Sequence, residues 1–271
     1  MKGQSVLQKE AFRVLGETSR TFIIPIKQLG PGLQEAVSSA YLSMRAIDEI
    51  EDHHTLPKPS KIELLESISA MLTEGFDEQQ YQQAVEPYRT YLPEVSLRLG
   101  DWLKLSPDHT RGTVSKYTAT MAKGMAEWVA KDWKISNKEG LDDYTYYVAG
   151  LVGVMLSELW ELYGECKIHP DQSIAFGRGL QLVNIISNRN EDLERGVDFY
   201  PSGWKFEDMI NYARQNLKVA DAYTKKIKVN SIYNFCRIPL DLAFGTLEAI
   251  ESGKSKLNRA SVLKIVSGAV R

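Results

Sequence analysis

Apolar side chains recur every three or four residues along almost the whole chain, and no stretch alternates in the two-residue pattern of a half-buried strand pair. From Gln34 to Asp52, the residues Ala36, Val37, Ala40, Tyr41, Met44 and Ile47 follow this helical spacing, which gathers them on one side that must be buried. Pro31-Gly32 punctuates the start of that helix. Ser60 followed by Glu63 reads as a capping box opening another helix through Leu72. Further helices are predicted over about 77–91, 110–132, 144–164, 172–195, 206–227, 230–251 and 259–269. Breaks fall at Pro57/Pro59, Pro107, Gly140, Pro170 and Pro201, so the connections are short. With no linker, repeat or low-complexity segment, the chain reads as one all-α domain over residues 1–271.

Composition narrows the class. A chain of 271 residues with 43% hydrophobic and 25% charged residues has the material for a sizeable core. A net charge of −2 implies no strongly basic face, so nucleic acid is not an expected partner. No apolar run reaches the ~20 residues needed to cross a bilayer, and Met1 to Ser5 lacks the apolar core of a signal peptide. Cys166 and Cys236 form neither a disulfide framework nor a CxxC pair, which fits reduced packing residues in a cytoplasmic protein. No obligate protein partner is legible.

Two acidic clusters carry the chemistry. The first, Arg45-Ala-Ile-Asp48-Glu49-Ile-Glu51-Asp52, places Tyr41, Arg45, Asp48 and Asp52 within about 60° of one another on a helical wheel. That face borders the apolar stripe, so its acids are expected to point inward or into a groove, the alternative being a solvated acidic stripe. In the second, Gly177, Gln181, Asn184, Asn188, Asp192 and Arg195 share about 80° of a long helix. Leu180, Leu182, Val183, Ile185 and Ile186 occupy its other sides. A helix apolar on most of its circumference is largely buried, so its polar stripe must meet a neighbouring helix, a cavity or a ligand. Two such faces looking at each other across a cavity would cage hard cations and a polyphosphate. Asn188 stands where a carboxylate would complete the symmetry.

A third feature is Tyr144-Thr-Tyr-Tyr-Val-Ala149-Gly150-Leu-Val-Gly153. Its two glycines are poor helix formers, and its small residues let another helix, or an apolar ligand, approach closely. Glu51 and His54 match the Glu-x-x-His spacing of a di-iron bundle, but neither His109 nor His169 has a Glu three residues earlier. There is no dinucleotide GxGxxG, P-loop or GxSxG.

Taken together, Ser19-Arg20-Thr21-Phe22, the Tyr41/Arg45 face running into Asp48–Asp52, Tyr144 leading to Gly153, and Leu180-Gln181-x-x-Asn184-Ile185 through Glu191-Asp192 resemble the squalene/phytoene synthase family. Asn234 to Pro239 and Ala243 to Leu247 are similar to its late helices, and the matches follow family order over about 15–250. The resemblance implies an isoprenoid-synthase-type antiparallel helical bundle around a central apolar cavity, with magnesium ions joining two acidic motifs to a prenyl diphosphate substrate. By position it gives Asp48 and Asp52 a catalytic and metal-binding role, assisted by Glu51, and places Asn184, Asn188 and Asp192 at a second metal site. Gln181 would neighbour the diphosphate. Arg20 and Arg45 would help neutralise it, with Ser19, Phe22, Tyr41 and Arg195 completing the substrate site. Tyr144 would lie near the reacting carbocation. Peripheral membrane contact for product release is a further expectation.

The chain departs from the family pattern. Where the family reads Asn-Ile-x-Arg-Asp, it has Asn184-Ile185-Ile186-Ser187-Asn188, and a second arginine is replaced by Val197. Arg189 and Arg195 are possible substitutes, of which only Arg195 lies on the polar face. Weaker metal and diphosphate binding would let water capture the ionised substrate. The expectation from these departures, and from a likeness to a family member regarded as a farnesyl diphosphate phosphatase, is Mg²⁺-dependent hydrolysis of farnesyl diphosphate to farnesol. The alternatives are a head-to-head synthase making squalene, dehydrosqualene or phytoene, and a prenyl-binding protein without turnover.

Overall fold

The amphipathic stripes fold as helices throughout. The computed structural model describes residues 2–19, 22–164, 168–254 and 256–269, and among these it contains fourteen α-helices and no strand. Backbone contacts group the chain into two compact units, Met1–Lys131 and Asp132–Arg271, taken in turn below.

The first unit runs α1 (Lys2–Thr18), α2 (Ile23–Lys27), α3 (Leu33–Glu51), α4 (Lys58–Glu74), α5 (Glu78–Val85), α6 (Glu94–Leu97), α7 (Leu99–Leu105) and α8 (Asp108–Ala130). Helix α3 is its axis and packs against α1, α4, α6, α7 and α8. Gly32 begins it at φ 82°, a left-handed conformation that a Cβ would oppose, and its N–H donates to the Glu35 carboxylate at 2.6 Å. Ala36, Ala40, Ile47 and Ile50 are fully or almost fully buried. Each large aliphatic side chain removed from water in this way contributes roughly 2 kcal/mol. Ser96 donates to the Ala46 carbonyl at 2.9 Å, tying α6 to the middle of α3, and Trp102 fills the space beside α7 while its indole N–H reaches the Val95 carbonyl at 2.8 Å.

The second unit contains α9 (Lys138–Thr145), one π-helical turn (Tyr146–Gly150), α10 (Leu151–Leu162), α11 (Pro170–Glu194), α12 (Phe206–Thr224), α13 (Asn230–Glu251) and α14 (Arg259–Ala269). Helix α11 is central and touches α9, the π turn, α10, α12 and α13. The small residues work here as helix-packing surfaces. A Cβ on Gly153 would overlap the Ser173 carbonyl, and one on Gly177 would overlap the Ala149 carbonyl, so α10 and the π turn meet α11 backbone to backbone.

Several expectations need correction. The Ser60/Glu63 capping box does not form: α4 begins at Lys58 after Pro57, with Pro59 in the first turn, because proline's fixed φ and missing N–H suit that position. Gly140 is not a break but lies inside α9, where its N–H is capped by the Asn137 side chain at 2.9 Å. The helix expected over 144–164 is divided at the π turn, and the one over 77–91 ends at Val85 in a short 3₁₀ turn at Glu86–Tyr88. Helices α1, α2, α6 and α7 were not anticipated. Cys236 is buried with its sulfur 3.4 Å from the Tyr223 hydroxyl, as a packing residue would be, whereas Cys166 lies outside the described residues.

Candidate functional site

In the first unit the last two turns of α3 bring acids together. The carboxylate oxygens of Asp48, Glu51 and Asp52 lie within 4.8 Å of one another, Asp52 exposed, Glu51 buried and Asp48 between these extremes. Arg45 reaches along the same helix to Asp48 and Glu49, so its guanidinium is held by two acids at once. Its Nε is buried and has no hydrogen-bond partner among the described residues. Glu49 was not singled out in the sequence, although its place four residues after Arg45 marks it as the second anchor.

The cluster strains its own ionisation. Although 29% of the Asp48 side-chain surface reaches solvent, the carboxyl is packed among enough protein that loss of hydration, followed by the charge of Asp52, pushes its pKa up to about 7. Arg45 opposes the rise without cancelling it. Hard carboxylate oxygens at this spacing suit a divalent cation, which would relieve the repulsion that the acids impose on one another.

The residues ahead of α3 are less open than expected. Ser19 is buried and its hydroxyl accepts from the Ile23 N–H at 3.1 Å, at the first residue of α2. Tyr41 donates to the Thr18 carbonyl at 3.2 Å and its ring centroid sits 6.1 Å from that of Phe22. Burial raises the Tyr41 hydroxyl pKa to about 12. Arg20 lies outside the described residues. Lys61, another residue the sequence did not point to, is buried and donates to the Glu51 carbonyl at the C-terminal end of α3.

In the second unit the polar stripe of α11 is present. Gln181 and Asn188 are half-buried, Asn184 is exposed, and Asn184 Nδ2 is 3.5 Å from Gln181 Oε1. Asp192 is buried and paired with Arg195, which terminates the helix. Arg189 forms a two-pronged contact with Asp198, at 2.9 and 3.4 Å, and lies 3.7 Å from the centre of the Tyr200 ring. Both arginines considered as substitutes for the missing ones therefore have acidic partners within their own unit. Tyr144 is buried on α9 and stacks on Phe199, with centroids 4.8 Å apart and planes 17° from parallel. Phe199 was overlooked because it lies far along the chain from its partner.

This arrangement can be set beside known proteins. The squalene/phytoene synthase family model matches residues 15–204. The chain belongs to the squalene/phytoene synthase family. Members similar to it include the squalene synthases of Schizosaccharomyces pombe, 30% identical over 89% of this chain and 59% of that protein, and of Gibberella zeae, 32% identical over 96% and 62%. A rat squalene synthase is 30% identical over 89% of the chain and 63% of its own length, so the chain spans about three fifths of the relatives it matches. Among solved structures, a complex of TcSQS with the ligand E5700 superposes with a TM-score of 0.81 at 22% identity, covering 97% of this chain and 86% of the other. A ligand-bound dehydrosqualene synthase gives 0.66 at 17% identity, over 99% and 96%. The fold is thus the all-α fold of isoprenoid synthases. The family uses divalent metal, and the Asp48/Glu51/Asp52 triad is a set of ligands that fits it.

These relatives overturn the expectation of a farnesyl diphosphate phosphatase, because the proteins matched across 89–96% of the chain are squalene synthases. The departures on α11 are variations within a family of synthases.

No helix among the described residues is long and apolar enough to cross a membrane.

Proposed function

We propose that this protein is a head-to-head prenyl synthase that joins two prenyl diphosphates into a squalene-, dehydrosqualene- or phytoene-type hydrocarbon, with Mg²⁺ as its divalent ion. The observation that carries this reading is identity of about 30% to squalene synthases over 89–96% of the chain. The complete carboxylate triad on α3 supports it.

Each residue has a role that follows from its surroundings and from family position. Asp48, Glu51 and Asp52 offer hard oxygen donors at a spacing that one cation can bridge. A divalent ion held by these three residues would supply positive charge against the diphosphate and so assist its departure. Arg45, fixed by Asp48 and Glu49, places a positive charge beside the triad that would help neutralise a bound diphosphate. On α11, Asn184, Asn188 and Asp192 would supply neutral and acidic oxygens to a divalent ion accompanying the second diphosphate, Gln181 would neighbour that diphosphate, and Asp192 is held in place by Arg195. The stacked ring of Tyr144 presents an aromatic face that stabilises an allylic cation until it meets the double bond of the second chain. Tyr41 holds α3 to the end of α1 through the Thr18 carbonyl and packs its ring near Phe22, close to Ser19 at the start of α2.

Incubating the purified protein with radiolabelled farnesyl diphosphate and Mg²⁺, with and without a hydride donor, and then extracting the products tests the reading. A C30 hydrocarbon is expected, and its hydrogen content separates squalene from dehydrosqualene; a C40 product from the longer geranylgeranyl substrate would identify a phytoene-type enzyme. Binding without hydrocarbon formation from either substrate would refute the synthase reading.

A further inference from the structure

Arg189 lies on α11 beside the acidic stripe, yet its charge is directed away from that stripe. The guanidinium grips both carboxylate oxygens of Asp198, at 2.9 and 3.4 Å, and covers the Tyr200 ring at 3.7 Å. Asp198 in turn accepts from the Tyr200 N–H at 3.1 Å, which closes a tight turn around the residue between them. That residue is Phe199, whose ring lies flat against Tyr144. Four contacts thus converge on three consecutive residues, and the middle one bears on the aromatic ring proposed to face the reacting cation.

We infer that Arg189 is a positioning residue: by clamping Asp198 and Tyr200 it sets the place of Phe199 and, through it, the plane of Tyr144. The inference rests on the synthase reading for its catalytic consequence but not for its structural one. The Arg189–Asp198 pair is part-exposed, with 34% and 39% of the side-chain surfaces in solvent, so its loss should change global stability little. Its effect is directional. A planar guanidinium satisfies two carboxylate oxygens and an aromatic face together, which an ammonium group does not. Released from the clamp, Phe199 would no longer press Tyr144 into one orientation, and small displacements of groups beside a reacting centre cost up to about a hundredfold in rate.

The test uses the full chain labelled with 4-fluorophenylalanine, the Phe199 ¹⁹F resonance being identified by its loss in Phe199→Leu. Tyr144 stacked on the ring shifts that resonance, so Arg189→Ala should move it while leaving the Phe235 signal in place, with Arg189→Lys intermediate. In parallel, Arg189→Ala should lower kcat for hydrocarbon formation about tenfold with KM nearly unchanged, and should have less than about a twofold effect in a Phe199→Leu background. An unmoved Phe199 resonance, an effect on KM alone, or full additivity with Phe199→Leu would overturn the inference; the second outcome would mean that Arg189 acts on the diphosphate. Asp198→Asn breaks the same clamp from the other side and decides the matter if Arg189→Ala does not fold. Should the wild-type protein make no hydrocarbon, the synthase reading fails, while the ¹⁹F shift still judges the clamp.

Discussion

Arg45 reaches Asp48 across one turn of α3, yet the Asp48 pKa remains pushed up, to about 7. Loss of hydration and the neighbouring Asp52 outweigh the arginine. The carboxyl is poised where a further positive charge, supplied by a divalent cation, would tip it fully to the ionised form.

That balance makes the triad sensitive to single charges. Asp48→Asn and Asp52→Asn should each lower the rate of hydrocarbon formation by at least ~10-fold, since metal-assisted charge stabilisation is worth several kcal/mol. Excess chelator should abolish turnover. Wild-type rates in both variants would mean that the cluster is only a solvated stripe.

The raised pKa also predicts a pH dependence of stability. The folded state binds the Asp48 proton more tightly than the unfolded chain, whose carboxyl titrates near 3.8. Stability from this group is therefore complete below about pH 4 and is lost as pH rises through 7. With allowance for its part exposure, the amount is on the order of 2 kcal/mol. In metal-free thermal melts between pH 4 and 8, the wild-type protein should lose stability relative to Asp48→Asn as pH rises. Parallel curves would refute the shift. Mg²⁺ affinity measured by calorimetry should rise over the upper part of the same window, because the proton and the cation compete for one carboxylate.

The backbone contacts of the second unit predict a contrast among glycines. Gly153→Ala and Gly177→Ala each force a methyl group into a carbonyl and should cost at least about 1–3 kcal/mol in denaturant unfolding. Gly112, inside α8 with nothing within 4 Å of a Cβ, should gain up to about 1 kcal/mol on substitution by alanine. Equal effects at the three positions would rule out close helix packing as the role of the stripe.

Lys61 offers a test of how the triad is held. Its ammonium group donates to the Glu51 carbonyl, where a cation also meets the negative end of α3. Lys61→Met should cost about 1–3 kcal/mol in unfolding experiments and weaken Mg²⁺ binding. Loss of stability with unchanged metal affinity would show that the end of α3 keeps its shape without it.

Much of the fold was legible because long helices keep one apolar stripe over several turns. Helices α3, α8, α11, α12, α13 and α14 lie within a few residues of their expected spans for that reason. Helices α2, α6 and α7 are too short to display a period, and they take their form from what they pack against, as Trp102 and Ser96 show. In the candidate site, the shared face of Arg45, Asp48 and Asp52 could be read directly, since residues three, four and seven apart meet on a helix. The pairing of Tyr144 with Phe199 could not, because 54 intervening positions carry no local signal of it.

By itself, then, the sequence determined the helical class, the acidic turn of α3, the polar stripe of α11 and the family, all of which follow from spacing along a helix or from residue identity in order. Only the tertiary structure decided that the glycine stripe joins two backbones and that Tyr144 stacks on Phe199. The physical reason is range. Backbone geometry repeats every few residues and leaves its mark on composition, whereas the partner of a buried or charged side chain is chosen by distance through space, which the order of residues does not encode locally.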